Sequence, residues 1–127
     1  MPTTPSALTP PAEHSLLERS WRFAWAALGL VPPQGLMQRL TQAWAEPQRH
    51  YHALQHLGEC LAHAEAVRSL AQQPGEVEIA LWFHDAIYDS RRADNEAKSA
   101  ALAAERLAGK TDPVRLSRIV AMIEATA

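Results

Sequence analysis

The sequence has a single cysteine, Cys60, among its 127 residues. One thiol excludes an internal disulfide framework and fits a reducing compartment, so a cytoplasmic location is expected. Long apolar runs are missing as well. The longest, Phe23 to Val31, covers nine residues, against the roughly 20 that a helix needs to cross a bilayer. The first residues carry neither the basic nor the apolar segment of a signal peptide. There is no basic excess: 12 Lys and Arg stand against 14 Asp and Glu, for a net charge of −2. A nucleic-acid-binding module is not expected from that balance. Val and Ile are scarce, and no run alternates apolar and polar residues between hairpin turns, which excludes a sheet. What remains is a soluble, single-domain protein, long enough to bury roughly two-thirds of its surface. Two features of what is present stand out: six histidines in a chain that is only 6% aromatic, and basic residues that are mostly Arg, the better bidentate partner for phosphate or carboxylate.

Residues 1–12 hold four prolines and three threonines and read as a flexible lead-in. From Glu13 the chain turns rich in Ala, Leu, Glu, Gln and Arg, the strong helix formers. Proline and glycine divide residues 13–127 into about six helices, so the predicted class is all-α. The first runs from about Glu13 to Gly29 and is stopped by Pro32-Pro33. The second runs from about Gln34 to Glu46, the third from about Arg49 to Gln72, and the fourth from about Glu76 to Tyr88. In the fourth, Glu76 and Glu78 complement the helix dipole. The fifth runs from about Asp94 to Ala108, with Asp94 as N-cap and Gly109 just beyond the C-cap. Its alanines suggest close helix packing. The sixth starts at Asp112-Pro113, an N-cap followed by proline, and runs to the end.

The fourth helix is apolar nearly all round and should be central and buried, with Trp82 and Phe83 in the core. His84 and Asp85 stand side by side in it. A buried carboxylate is costly unless it is paired or bound to a metal. Either Asp85 pairs with an Arg or caps a following loop while His84 is a hydrogen-bonded core histidine, or the pair serves a metal. In the third helix His52 and His56 are spaced i, i+4 and share a face. Cys60 and His63 continue the stripe. His63 lies about 10 Å along the axis from His56, too far to share an ion with it, and Cys60 and His63 both read as bystanders. A zinc-peptidase reading of the HxxxH pair fails because Ala53 stands where the catalytic Glu would be.

Taken together, His52-x-x-x-His56, 27 intervening residues and His84-Asp85 resemble the HD superfamily of metal-dependent phosphohydrolases. More narrowly, EPQRHYHALQH, ALWFHDAIYD and DNEAKSA are similar to a small bacterial family of predicted metal-dependent phosphohydrolases. The resemblance covers about Trp44 to Ala127 and implies an HD-domain-like helical bundle. It implies His56, His84 and Asp85 as metal ligands, Asp85 being also catalytic. The Tyr-His-x-x-x-His segment is similar to that of cyclic-nucleotide phosphodiesterases, which implies His52 as the acid that protonates the leaving group. The sequence has Ala53 where those enzymes have Asn.

A divalent ion is thus the implied cofactor. Mn, Fe, Co, Ni, Zn and Mg are not distinguished by such a donor set. The implied substrate is a small, nucleotide-like phosphorylated molecule, cleaved as a phosphomonoester or phosphodiester. Arg49 either holds a phosphate oxygen or pairs with Glu46. Asp89 takes a second metal or a ligand, or opens the loop after the helix. Glu96 acts behind the ligands or is a first-turn acid. HD proteins close their site with a later Asp. Asp112 is the only Asp after Asp94, and it sits at an N-cap. The chain therefore reads as truncated at its C-terminus or as a piece of a longer protein. The other expectation is an incomplete HD-like module that binds metal or assembles. Missing helices would leave core faces exposed, and a homo-oligomer would cover them.

Overall fold

A computed structural model describes residues 9–45, 54–87 and 94–126. The described residues form six α-helices and no strand: α1 (Thr9–Ala27), α2 (Leu36–Trp44), α3 (Leu54–Ala66), α4 (Pro74–Phe83), α5 (Asn95–Leu107) and α6 (Pro113–Glu124). A short 3₁₀ turn, Arg68–Leu70, follows α3. The all-α class read from composition is what the chain adopts. None of these helices is long and apolar enough to cross a membrane.

Helix α1 begins at Thr9, inside the stretch read as a lead-in. Pro10 and Pro11 fall in its first turn, where backbone N–H groups have no partner within the helix and their loss costs nothing. Gly29, at φ +72°, follows the end of α1. Leu36, Leu40 and Trp44 bury one stripe of α2 at i, i+4 spacing. Helices α5 and α6 take the sequence-predicted cap positions, although the Asp94 side chain makes no capping hydrogen bond to α5. Asp94 is the N-cap residue of α5 and Gly109, at φ +75°, lies beyond its C-cap. Asp112 caps α6, its carboxylate accepting from the Arg115 N–H at 2.8 Å, with Pro113 in the first turn.

Helix α4 is the centre of the bundle. It packs against α1, α3, α5 and α6, as its all-round apolar sequence requires. Ile79, Trp82 and Phe83 are fully buried beside Leu57 and Leu61 of α3, Leu107 of α5 and Ile119 and Ile123 of α6. In α5 only part of the alanine content does the packing: Ala100 and Ala103 are buried, whereas Ala97 and Ala101 face solvent.

Glu76 and Glu78 are not exposed first-turn acids but buried anchors. Glu78 accepts two hydrogen bonds from Arg68, at 2.6 and 2.9 Å, and one from Ser20 at 2.8 Å. Ser20 in turn accepts from the Trp82 indole at 3.1 Å. The Arg68 guanidinium lies over the Phe23 ring, 3.6 Å from its centroid, a cation–π contact. This chain of contacts ties α1, the 3₁₀ turn and α4 together, so that each buried polar atom in it has a partner.

The α1–α4 crossing is close enough to exclude a side chain at Gly75. A Cβ there would collide with the Ala27 Cβ and lie 3.3 Å from the Ala24 carbonyl oxygen. Gly75→Ala is expected to lower stability by about 1–3 kcal/mol, the cost of overpacking a tight contact. Helix propensity returns at most about 1 kcal/mol. A urea melt of the variant checks this, and an unchanged midpoint would mean that α1 can yield at the crossing.

Candidate metal centre

Helix α4 ends at Phe83, earlier than the periodicity predicts, so His84 and Asp85 lie in the turn that follows it. The reason is local chemistry at the helix end. The Leu81 carbonyl accepts from the His84 ring Nδ1 at 2.6 Å and from the His84 N–H at 3.4 Å. The Ala86 N–H then bonds to the Phe83 carbonyl at 3.0 Å, a tighter i to i+3 pattern. From α5, the Ser99 hydroxyl takes both backbone groups of Ile87: it accepts from the N–H at 3.0 Å and donates to the carbonyl at 3.2 Å. With those groups engaged, the α-helical ladder does not continue.

This geometry orients His84. A carbonyl oxygen only accepts, so Nδ1 carries a proton, and in the neutral ring Nε2 presents the lone pair. That is the arrangement by which a ligating histidine is held by its other nitrogen. The ring is buried and sits against Trp44, with centroids 5.2 Å apart. Trp44 is held by its indole N–H, which donates to the Trp82 carbonyl at 3.1 Å.

Helix α3 brings two further donors to the same place. The His56 and His84 rings are 6.0 Å apart, and Cys60 Sγ lies 3.6 Å from His56 Nε2. His56, Cys60 and His84 each offer a ligand atom, and these atoms all lie within 4.8 Å of one another. Asp85 stands beside this group, its Oδ2 3.6 Å from His84 Nε2. Burial, then the carboxylates of Asp85 and Glu59, push the Cys60 thiol above its ordinary pKa.

The structure therefore gathers two of the three expected ligands, His56 and His84, with Asp85 next to them. It adds Cys60, which sequence reasoning had set aside. The signal was present: Cys60 is one turn from His56, at i+4, and only the distance to His63 argued against the stripe. His63 is exposed, in the last turn of α3. Glu96 is half-buried in the first turn of α5 and contributes no atom to the group. His52, Arg49 and Asp89 lie outside the described residues.

The donor set fits a divalent cation: two imidazoles and a thiol at mutual ligand distance, one imidazole fixed by its second nitrogen, and a carboxylate adjacent. Comparison of the chain with models of known protein families, with curated proteins and with solved structures finds no match.

Proposed function

We propose that the chain is a metal-dependent phosphohydrolase of HD type, acting on a small, nucleotide-like phosphomonoester or phosphodiester in the cytoplasm. The observation that carries this reading is the convergence of His56 from α3 and His84 from the turn after α4, with Asp85 alongside. The order of the HxxxH and HD segments supplies the phosphate chemistry by resemblance. A divalent ion bound there supplies an acidified water and neutralises phosphate charge. The protein's own part is to hold that ion and handle protons. The Leu81 carbonyl fixes the His84 ring. Asp85 adds negative charge beside it and can accept a proton from an attacking water. His52, four residues before His56, is assigned to protonate the leaving oxygen. Arg49 is assigned to the phosphate, and Asp89 to a ligand or second ion.

One observation favours a second reading, a metal-holding helical module without turnover. The third donor of the group is a thiol, and thiol-containing sets are common in closed, structural sites. Elemental analysis of the purified chain, paired with hydrolysis of bis(p-nitrophenyl) phosphate with added Mn, separates the two. The phosphohydrolase is expected to carry a metal ion and to turn over, and His56→Ala to lose both. Metal without turnover supports the module. A folded wild-type chain with neither metal nor turnover sinks both.

A further inference from the structure

We propose that Cys60 is itself a metal ligand, so that the centre is an N₂S site of His56, Cys60 and His84 built for a borderline-soft divalent ion such as zinc. This rests on the metal site of the preceding reading but not on its phosphate chemistry.

The distances fit direct coordination. In a tetrahedral zinc site with Zn–S near 2.3 Å and Zn–N near 2.05 Å, sulfur and nitrogen stand about 3.5 Å apart. Cys60 Sγ and His56 Nε2 are 3.6 Å apart. The two residues are held at that separation by their helix. Spaced i, i+4 on α3, they project from one face in successive turns. The buried Leu57 and Leu61 lock that helix into the core. The third donor comes from the turn after α4, whose Phe83 and Trp82 are equally fixed. His84 presents Nε2 because its Nδ1 is engaged by Leu81. All three ligand atoms lie within 4.8 Å of one another, so small side-chain rotations suffice to close them around one ion.

The donor types then set the preference. With the Cys60 proton released to solvent as the ion binds, a thiolate with two imidazoles favours zinc, cobalt or ferrous iron. Carboxylate and water ligands alone would suit magnesium or manganese. The fourth position would fall to Asp85, whose Oδ2 stands 3.6 Å from His84 Nε2, or to a water. The competing account of the same contact is a thiol hydrogen-bonded to an imidazole with no metal involved.

Cobalt(II) titration of the full chain discriminates between these, because thiolate coordination gives an intense charge-transfer band in the near ultraviolet, separate from the visible d–d bands. The wild type is expected to show both. Cys60→Ser and Cys60→Ala are expected to lose the charge-transfer band. Both should also lose at least about tenfold in zinc affinity, measured by competition with a chromophoric chelator, since even changes behind a ligand cost that much. His63→Ala, on the same helix but exposed, is expected to change neither. Circular dichroism establishes that each variant is folded. Visible bands that need His56 and His84, with no charge-transfer band, would overturn the Cys60 assignment and leave the metal site standing. A folded wild type that binds no cobalt would overturn both.

Discussion

Glu76→Ala is expected to lower the unfolding free energy by about 2–3 kcal/mol, measured by urea denaturation at neutral pH. The Glu76 side chain is 1% exposed. It accepts from Arg115 Nε at 3.0 Å and from Arg118 Nε and Nη2 at 2.8 and 2.7 Å. Arg115 also donates to the Leu28 carbonyl at 3.2 Å. One carboxylate therefore joins the first turn of α4 to α6, and Arg115 extends the contact to Leu28, just past the end of α1. Breaking a fully buried pair costs about 3–5 kcal/mol, because a charge is left behind without a partner. Here Arg118 is 46% exposed and can turn to water, which reduces the expected loss. Arg115, more enclosed, stays confronted with the vacancy. A change below about 0.5 kcal/mol would place Glu76 among ordinary surface substitutions and refute its anchoring role.

The same group makes stability fall in acid. Hydrogen bonds from Arg118, opposed by burial and reinforced by the charge of Arg118 and by Arg115, hold the Glu76 carboxyl below its ordinary value of 4.5. The unfolded state then binds the proton more readily than the folded state, so stability rises with pH across this window. The contribution is fully present above the ordinary glutamate range and is lost as pH falls through the depressed folded value. Glu76→Gln should flatten that part of the acid limb. A stability profile with the same acid slope in both proteins would contradict the assignment.

Saturating zinc is expected to raise the melting temperature of the wild type by more than about 10 °C. An ion at about 1,000 times its dissociation constant adds about 4 kcal/mol to a protein that binds it only when folded. Each kcal/mol shifts a domain of this size by roughly 3–5 °C. The donors come from α3 and from the turn after α4, so the ion would pin together two elements that only the folded core brings near. Histidines of the unfolded chain bind zinc weakly and trim the effect. His84→Ala should abolish the shift, and a chelator should reverse it in the wild type. Scanning calorimetry with and without zinc provides the test, and equal melting temperatures in the wild type would exclude a folded-state metal centre at these residues.

Local signals in the sequence mark the start of α5, its end and the start of α6, whereas α1 begins at Thr9 and α3 ends at Ala66, short of the predicted Gln72. Asp112-Pro113 starts α6 because a carboxylate three residues before an N–H, followed by a ring with fixed φ, acts within one turn. Gly109 lies beyond the end of α5 because a left-handed residue is cheapest as glycine. The apolar run around Ile79 to Phe83 marks α4 as central for an equally simple reason: no face of it can be left in water.

The parts that were not legible depend on groups far away in the chain. Helix α4 stops before His84 where the His84 ring takes the Leu81 carbonyl and Ser99, on α5, engages the backbone of Ile87, and no periodicity carries that information. Glu76 and Glu78 looked like dipole-complementing acids because Arg115, Arg118, Arg68 and Ser20 are invisible to a window around residue 76. Cys60 was set aside with His63 on an axial distance that applies to His63 alone.

The sequence by itself determined the helical class, the starts of α5 and α6, the central position of α4 and the short set of histidines worth considering. It did so because those properties arise from interactions within a few residues. Only the tertiary structure decided that His56, Cys60 and His84 meet, that Asp85 stands beside them, and that two glutamates are anchors rather than surface acids. Those outcomes depend on which helix faces pack together, and packing pairs residues tens of positions apart through space rather than along the chain.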